Sequence, residues 1–257
     1  MGETIMLHKA AIIDYVLQLA DNAMILGQRL SEWCGHGPIL EQDIAITNIA
    51  LDLIGEARVL YQYAAELDGE GKTEDYYPYQ RDIRDWKNIL LVEQPNGHWG
   101  HTIIRQFMFD CYHYYHLKEM ANSSDERLQQ IANKTIKEST YHLRYSSEWV
   151  IRLGDGTSES HDKMQEALDD RMRFFGEAFV PSSVEKLPAL DGIIVDCEKI
   201  KAAAYKKFEE VCDTATLTIP TVNYPQLGGK NGVHTEHMGF ILAEMQHLQK
   251  SYPNSQW

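Results

Sequence analysis

The sequence predicts an all-α fold, and three observations carry that expectation. Apolar residues recur at steps of three and four over long stretches. Turns rich in Gly and Pro separate those stretches, and no segment alternates apolar and polar residues as a half-buried strand would. With 257 residues, 44% hydrophobic and 24% charged, the chain can build a large core without disulfides or a structural metal.

Ile12, Val16, Leu19, Ala23, Leu26, Leu30 and Trp33 form one stripe and place a first helix over 9–33. Gly35-His36-Gly37-Pro38 reverses the chain, and Pro38 suits the first positions of a second helix over 40–67. From Ile44 to Leu60 that helix is apolar on nearly every side, which predicts burial all round. Asp43, Asn48, Asp52, Glu56 and Arg58 interrupt it. Asp52 and Glu56 share a face at i, i+4. Buried carboxylates are costly unless protonated, paired or bound to a metal.

The polar stretch from Asp68 to Asn88 is too long for a simple bundle connection and reads as a crossover, with a short helix near Arg81–Leu91. Pro95-Asn96-Gly97 then marks a turn. Ile103, Phe107, Cys111, Tyr114 and Leu117 place a third helix over 98–120. Ser124 is expected to cap a fourth over 125–153, with Asp125 and Glu126 in its first turn. Further helical patterns cover 160–179, 196–215 and 234–250, with loops at 182–191 and 217–233. Two long antiparallel pairs joined by one long crossover give a ferritin-like four-helix bundle, with the C-terminal helices packed outside. The expectation is a single domain over 1–257.

A formal charge of −14 excludes a general nucleic-acid binder, because phosphate contacts need clustered cations. Asp14 and Asp21 break a would-be signal peptide, and no uncharged apolar run approaches the ~20 residues that span a bilayer. Cys34, Cys111, Cys197 and Cys212 form no CxxC pair and read as reduced, buried thiols of a cytoplasmic protein. GxSxG, P-loop and GxGxxG patterns are absent.

A di-iron site in this fold takes one carboxylate from each of two helices and a Glu-x-x-His pair from each of two others, the i, i+3 spacing placing both donors beside one ion. Asp110-x-x-His113 is the one match here. Gly55 and Val59 stand three residues after Asp52 and Glu56. Tyr141 stands three after Glu138, and His142 is one step too far. Asp52, Glu56, Asp110, His113, Glu138 and His142 are therefore expected to form a degenerate, metal-free polar cluster, with Arg58 or Arg144 available as counter-charge. The alternative is an autonomous di-iron oxidase or ferroxidase using the same six residues. His234-Thr235-Glu236-His237 has neither metal-binding spacing and reads as the start of the last helix, with Thr235 or Glu236 helping to cap. His36, His98, His101 and His116 read as turn or helix-end residues with no partner in view.

Four blocks, WCGHGPILEQDIAITNIALDLIGEAR, LLVEQPNG, IKESTYHLRYSSEWVIRLGDGT and GGKNGVHTEHMGFILAEMQHLQ, resemble the C subunits of bacterial phenylacetyl-CoA epoxidases. The resemblance runs in order from about Leu19 to Trp257. It implies a ferritin-like, non-catalytic structural subunit, with no catalytic residue and no cofactor of its own. It also implies a hetero-oligomer with a homologous A subunit that holds the di-iron centre and most of the phenylacetyl-CoA site. Smaller B subunits join these, and a separate reductase brings electrons from NADPH. No nucleic acid and no membrane enter this picture. Among the cations of the loops, Arg81, Arg84, Lys87 and Lys186, the expected contacts to the nucleotide end of the substrate are Arg84 first and Lys186 second.

Overall fold

The computed structural model describes residues 2–252 and residue 255; Met1 and Trp257, the ends of the expected domain, lie outside them. Among the described residues the chain is all-α, without a strand, and follows the ferritin-like order of elements: a long helix pair, a crossover, a second long pair, then shorter helices. It divides into two compact units. The first comprises Met1–Glu93, Ser182–Asp191 and Gly228–Trp257; the second comprises Gln94–Pro181 and Gly192–Leu227.

In the first unit, α1 (Gly2–Ser31) packs against α2 (Leu40–Asp68). The helix α1 begins seven residues before the expected start, because the apolar stripe marks where a helix is buried rather than where its backbone bonds begin. Ile12, Val16, Leu19, Ala23, Leu26 and Leu30 of its stripe are buried, while Trp33 falls in the turn beyond the helix and is half-buried; Ile46, Ile49, Leu53, Ala57 and Leu60 of α2 are buried too. The helices approach closely at Gly27, where a Cβ would lie 2.9 Å from Ile54 Cγ1 and 3.3 Å from the Ala50 carbonyl oxygen. His8–Ser31 is long and apolar enough to cross a membrane by length and composition, but 78% of that window is buried inside the protein.

Two expectations for α2 are corrected. Pro38 precedes the helix rather than opening it: Ile39 is the N-cap, and the Asp43 carboxylate reaches back to accept the Gly37 N–H at 2.8 Å. The helix is also not buried all round, since Leu40, Ile44 and Leu51 project into solvent, Ile44 at 52% and Leu51 at 60% exposure. Composition gave no face to this helix; packing did.

The crossover holds a short helix α3 (Tyr76–Gln80) and a single 3-10 turn at Ile83–Asp85, earlier than the expected Arg81–Leu91 helix. Trp86 and Ile89 to Val92 are buried without forming a helix. Their backbone is satisfied from α1 instead: the Lys87 N–H donates to Asp21 Oδ2 at 2.9 Å and the Ile89 N–H to Asn22 Oδ1 at 2.8 Å.

The second unit holds α4 (Trp99–Met120), α5 (Glu126–Gly154), α6 (Ser158–Phe175) and α7 (Cys197–Thr214). Asp125, not Ser124, caps α5, its Oδ1 accepting the Arg127 and Leu128 N–H groups at 3.0 Å each. Ser124 turns away and donates to the Gly192 carbonyl through both its N–H and its hydroxyl. The helix α6 stops at Phe175 and tightens into a 3-10 turn over Gly176–Phe179, so the expected 160–179 helix is two elements. Phe175, Phe179 and Phe208 are buried beside Phe107, with ring centroids 4.9–5.7 Å apart.

The expected last helix, 234–250, is also two pieces of the first unit, α8 (Glu236–Met245) and α9 (His247–Ser251). The break falls at Gln246, whose side-chain amide donates to the Pro78 and Arg81 carbonyls at 2.9 and 3.0 Å.

Candidate functional site

Of the six residues expected to form a degenerate metal cluster, four lie in the second unit. Asp110 on α4 is fully buried; Ser146 Oγ donates to its Oδ2 at 2.7 Å and Gln106 Nε2 to its Oδ1 at 2.8 Å. Burial raises its carboxyl to about 6, against the opposing influence of His142, Ser146, His113 and Gln106. His113 and His142 are buried as well, and Glu138 is half-buried one turn before His142 on α5. The i, i+3 spacing on α4 and the i, i+4 spacing on α5 thus bring two imidazoles toward one carboxyl. Both oxygens of that carboxyl are already engaged by neutral donors, and the second carboxylate-x-x-His pair is missing from the sequence. A di-iron centre of this fold takes two such pairs. Asp52 and Glu56 belong to the first unit, half-buried and buried respectively on α2. Arg58 reaches Glu74 at 3.1 Å, and Arg144 lies over the Tyr141 ring, so each expected counter-charge has another contact.

The cations of the crossover separate by environment. Arg81 is buried rather than solvated. It pairs with Asp21, which also accepts from the Tyr61 hydroxyl at 2.8 Å, and it lies 4.5 Å above the Trp86 ring. Arg84 and Lys186 are exposed. Lys87 lines a polar cavity of about 220 Å³ with Asp14, Gln18, Ser182, Ser183, Val184, Lys230 and Asn231. Lys230 itself is buried and pairs with Glu185 at 3.1 Å.

His234 is a structural pin: its Nδ1 lies 2.9 Å from Glu93 Oε2 and its Nε2 3.0 Å from the Trp86 carbonyl. Glu93 also accepts the Thr235 N–H at 2.6 Å; Thr235 is the N-cap of α8, as expected, but makes no side-chain cap bond. His98 and His101, which had no partner in sequence, have partners here. His98 caps α4 through Nδ1, which accepts the Gly100 N–H at 3.1 Å, and its Nε2 lies 3.7 Å from Glu166. His101 Nε2 lies 3.7 Å from Asp170. His36 Nδ1 lies 3.1 Å from the Cys34 carbonyl, and His116 packs on Tyr112. Cys34 is exposed, contrary to expectation, because it falls in the turn after α1; the other three thiols are buried, and all four are free.

Sequence reading missed Asp21–Arg81, Glu185–Lys230 and Glu93–His234 because each joins residues 45 to 141 positions apart. Local spacing holds no signal for such pairs.

The pattern of a family described as "Phenylacetic acid catabolic protein" matches residues 3–257. The chain is 46% identical over 243 residues to the C subunit of the 1,2-phenylacetyl-CoA epoxidase of Escherichia coli (strain K12), covering 95% of this chain and 98% of that relative.

Proposed function

The chain belongs to the phenylacetic acid catabolic protein family, and from that premise we propose that it is the non-catalytic, structural subunit of a multicomponent phenylacetyl-CoA 1,2-epoxidase. The single observation that carries this reading is similarity to an epoxidase C subunit over 98% of that relative's length. The incomplete ligand set supports it: one carboxylate-x-x-His pair stands where two are required. In this reading the di-iron centre, and the oxygen chemistry it supplies, belong to a homologous A subunit. That subunit also holds most of the phenylacetyl-CoA, with a B subunit, an NADPH-linked reductase and a cytoplasmic setting completing the assembly. The exposed apolar residues Leu40, Ile44 and Leu51 on α2 support a chain built to meet another subunit.

Iron analysis of the purified chain, with co-purification from cells expressing the A subunit, tests this. The expected result is trace iron in the chain alone and a stable complex that turns over only when the A subunit is present. The association of Asp110, His113 and His142 keeps a second reading in play, an autonomous di-iron oxidase. About two irons per chain and oxygen consumption without a partner would establish it instead.

Arg84 and Lys186 are the proposed contacts to the phosphate end of coenzyme A. Arg84→Ala in the assembled complex is expected to weaken substrate binding about fivefold at low salt, roughly 1 kcal/mol, and less at high salt. Unchanged affinity at low salt with the complex intact would remove Arg84 from the site.

A further inference from the structure

We propose that His98, His101 and Glu166 form a binding site for a divalent transition-metal ion of the zinc class, on the surface of the second unit and separate from the Asp110 cluster. His98 is the N-cap of α4 and His101 its third residue, so both rings leave the same turn, with centroids 4.1 Å apart. Glu166 arrives from α6. One ligand atom from each residue lies within 4.8 Å of the other two. Donors around a tetrahedral Zn²⁺ stand about 3.4 Å apart, so the set closes by about 1.4 Å at most. Glu166, whose side chain is 68% exposed, is free to supply that movement.

Two details point to an ion rather than to a simple charged pair. His98 Nε2 and His101 Nδ1 are both shielded from solvent and have no hydrogen-bond partner. An arriving ion would satisfy both at once. The opposite nitrogen of His101 faces Asp170, which places a carboxylate behind the ring, the usual arrangement for a ligating imidazole. Asp170 in turn pairs with Arg171 and with Arg173, at 2.7 Å from the latter, which offsets their charge near the ion.

Two imidazoles and one carboxylate suit Zn²⁺ and its neighbours, whereas Mg²⁺ and Ca²⁺ require oxygen ligands throughout. Loading shifts the His98 ring proton from Nε2 to Nδ1 and gives up the Gly100 contact, with no net proton released. The positive end of α4 also opposes a cation. Both effects weaken the affinity.

The test is a Zn²⁺ titration of the purified chain against a chromophoric chelator, in a Cys34→Ser background that removes the exposed thiol beside His36. One Zn²⁺ per chain is expected, resistant to excess Mg²⁺. Because Asn is a good N-cap, His98→Asn removes the ligand while keeping the α4 cap. It should bind Zn²⁺ at least about tenfold more weakly with the metal-free thermal midpoint unchanged, as should Glu166→Gln. Full-strength binding in His98→Asn, displacement by Mg²⁺, or failure of the Cys34→Ser protein to compete for Zn²⁺ would each overturn the site.

Discussion

Glu185 and Lys230 show how a single pair ties distant loops of the first unit together. Burial alone would raise the Glu185 carboxyl, but the Lys230 charge and the Ser182 N–H outweigh it and hold the carboxyl below its usual range. A depressed folded value gives stability that is present above the ordinary carboxylate range and is lost as pH falls through the folded value. Replacing Lys230 removes the cation that offsets the burial of the Glu185 carboxylate, so Lys230→Met should cost about 3–5 kcal/mol in urea unfolding at neutral pH. Most of that difference should vanish on acidification, and an equal loss at low pH would show that packing rather than charge is at stake. Asp110 has the opposite sign. Its carboxyl is raised to about 6, so the protonated form is favoured in the folded chain. The fold is then penalised increasingly as pH climbs from the ordinary carboxylate range through 6, by about 3 kcal/mol at most. Asp110→Asn should flatten that segment of the stability profile, measured by denaturant unfolding at several pH values. A profile identical to the parent's would place the titration elsewhere.

At the scale of the element, caps and faces decide more than propensity does. Asp125 satisfies two N–H groups at the start of α5, while Ser124 is occupied with Gly192. Asp125→Ala is expected to lower thermal stability by about 1 kcal/mol, and Ser124→Ala by clearly less. The reverse ranking would restore Ser124 as the cap. The same scale explains the breaks in the last expected helix and in 160–179: Gln246 bonds to carbonyls of the crossover, and α6 tightens into a 3-10 turn at Gly176. The apolar period continues through both positions, so periodicity alone reads each as one helix.

On the whole-molecule scale, the informative residues are apolar ones left outside. Leu40, Ile44 and Leu51 follow one face of α2 and project into solvent. If that face meets another subunit, Leu51→Asp should leave the chain's own thermal midpoint nearly unchanged, since the side chain is not part of its core. The same change should abolish co-purification with the A subunit. A variant that still assembles would move the interface away from α2, and one that unfolds would mean the face supports the chain itself.

The order and approximate limits of the long helices were legible in the sequence, because the 3.6-residue period and the turn residues are local properties. The single carboxylate-x-x-His spacing, Asp110 to His113, is likewise a local property, and four blocks of sequence were enough to suggest the family. The sequence could not assign a face to α2, where Ile44 and Leu51 read as core like their neighbours; the folded chain leaves both exposed. It could not separate buried Arg81 from exposed Arg84, which stand three residues apart in one polar stretch. It could not join His98 and His101 to Glu166, because that third donor arrives from another helix. Local pattern fixes which backbone hydrogen bonds form, whereas the environment of a charge depends on what the rest of the chain places beside it.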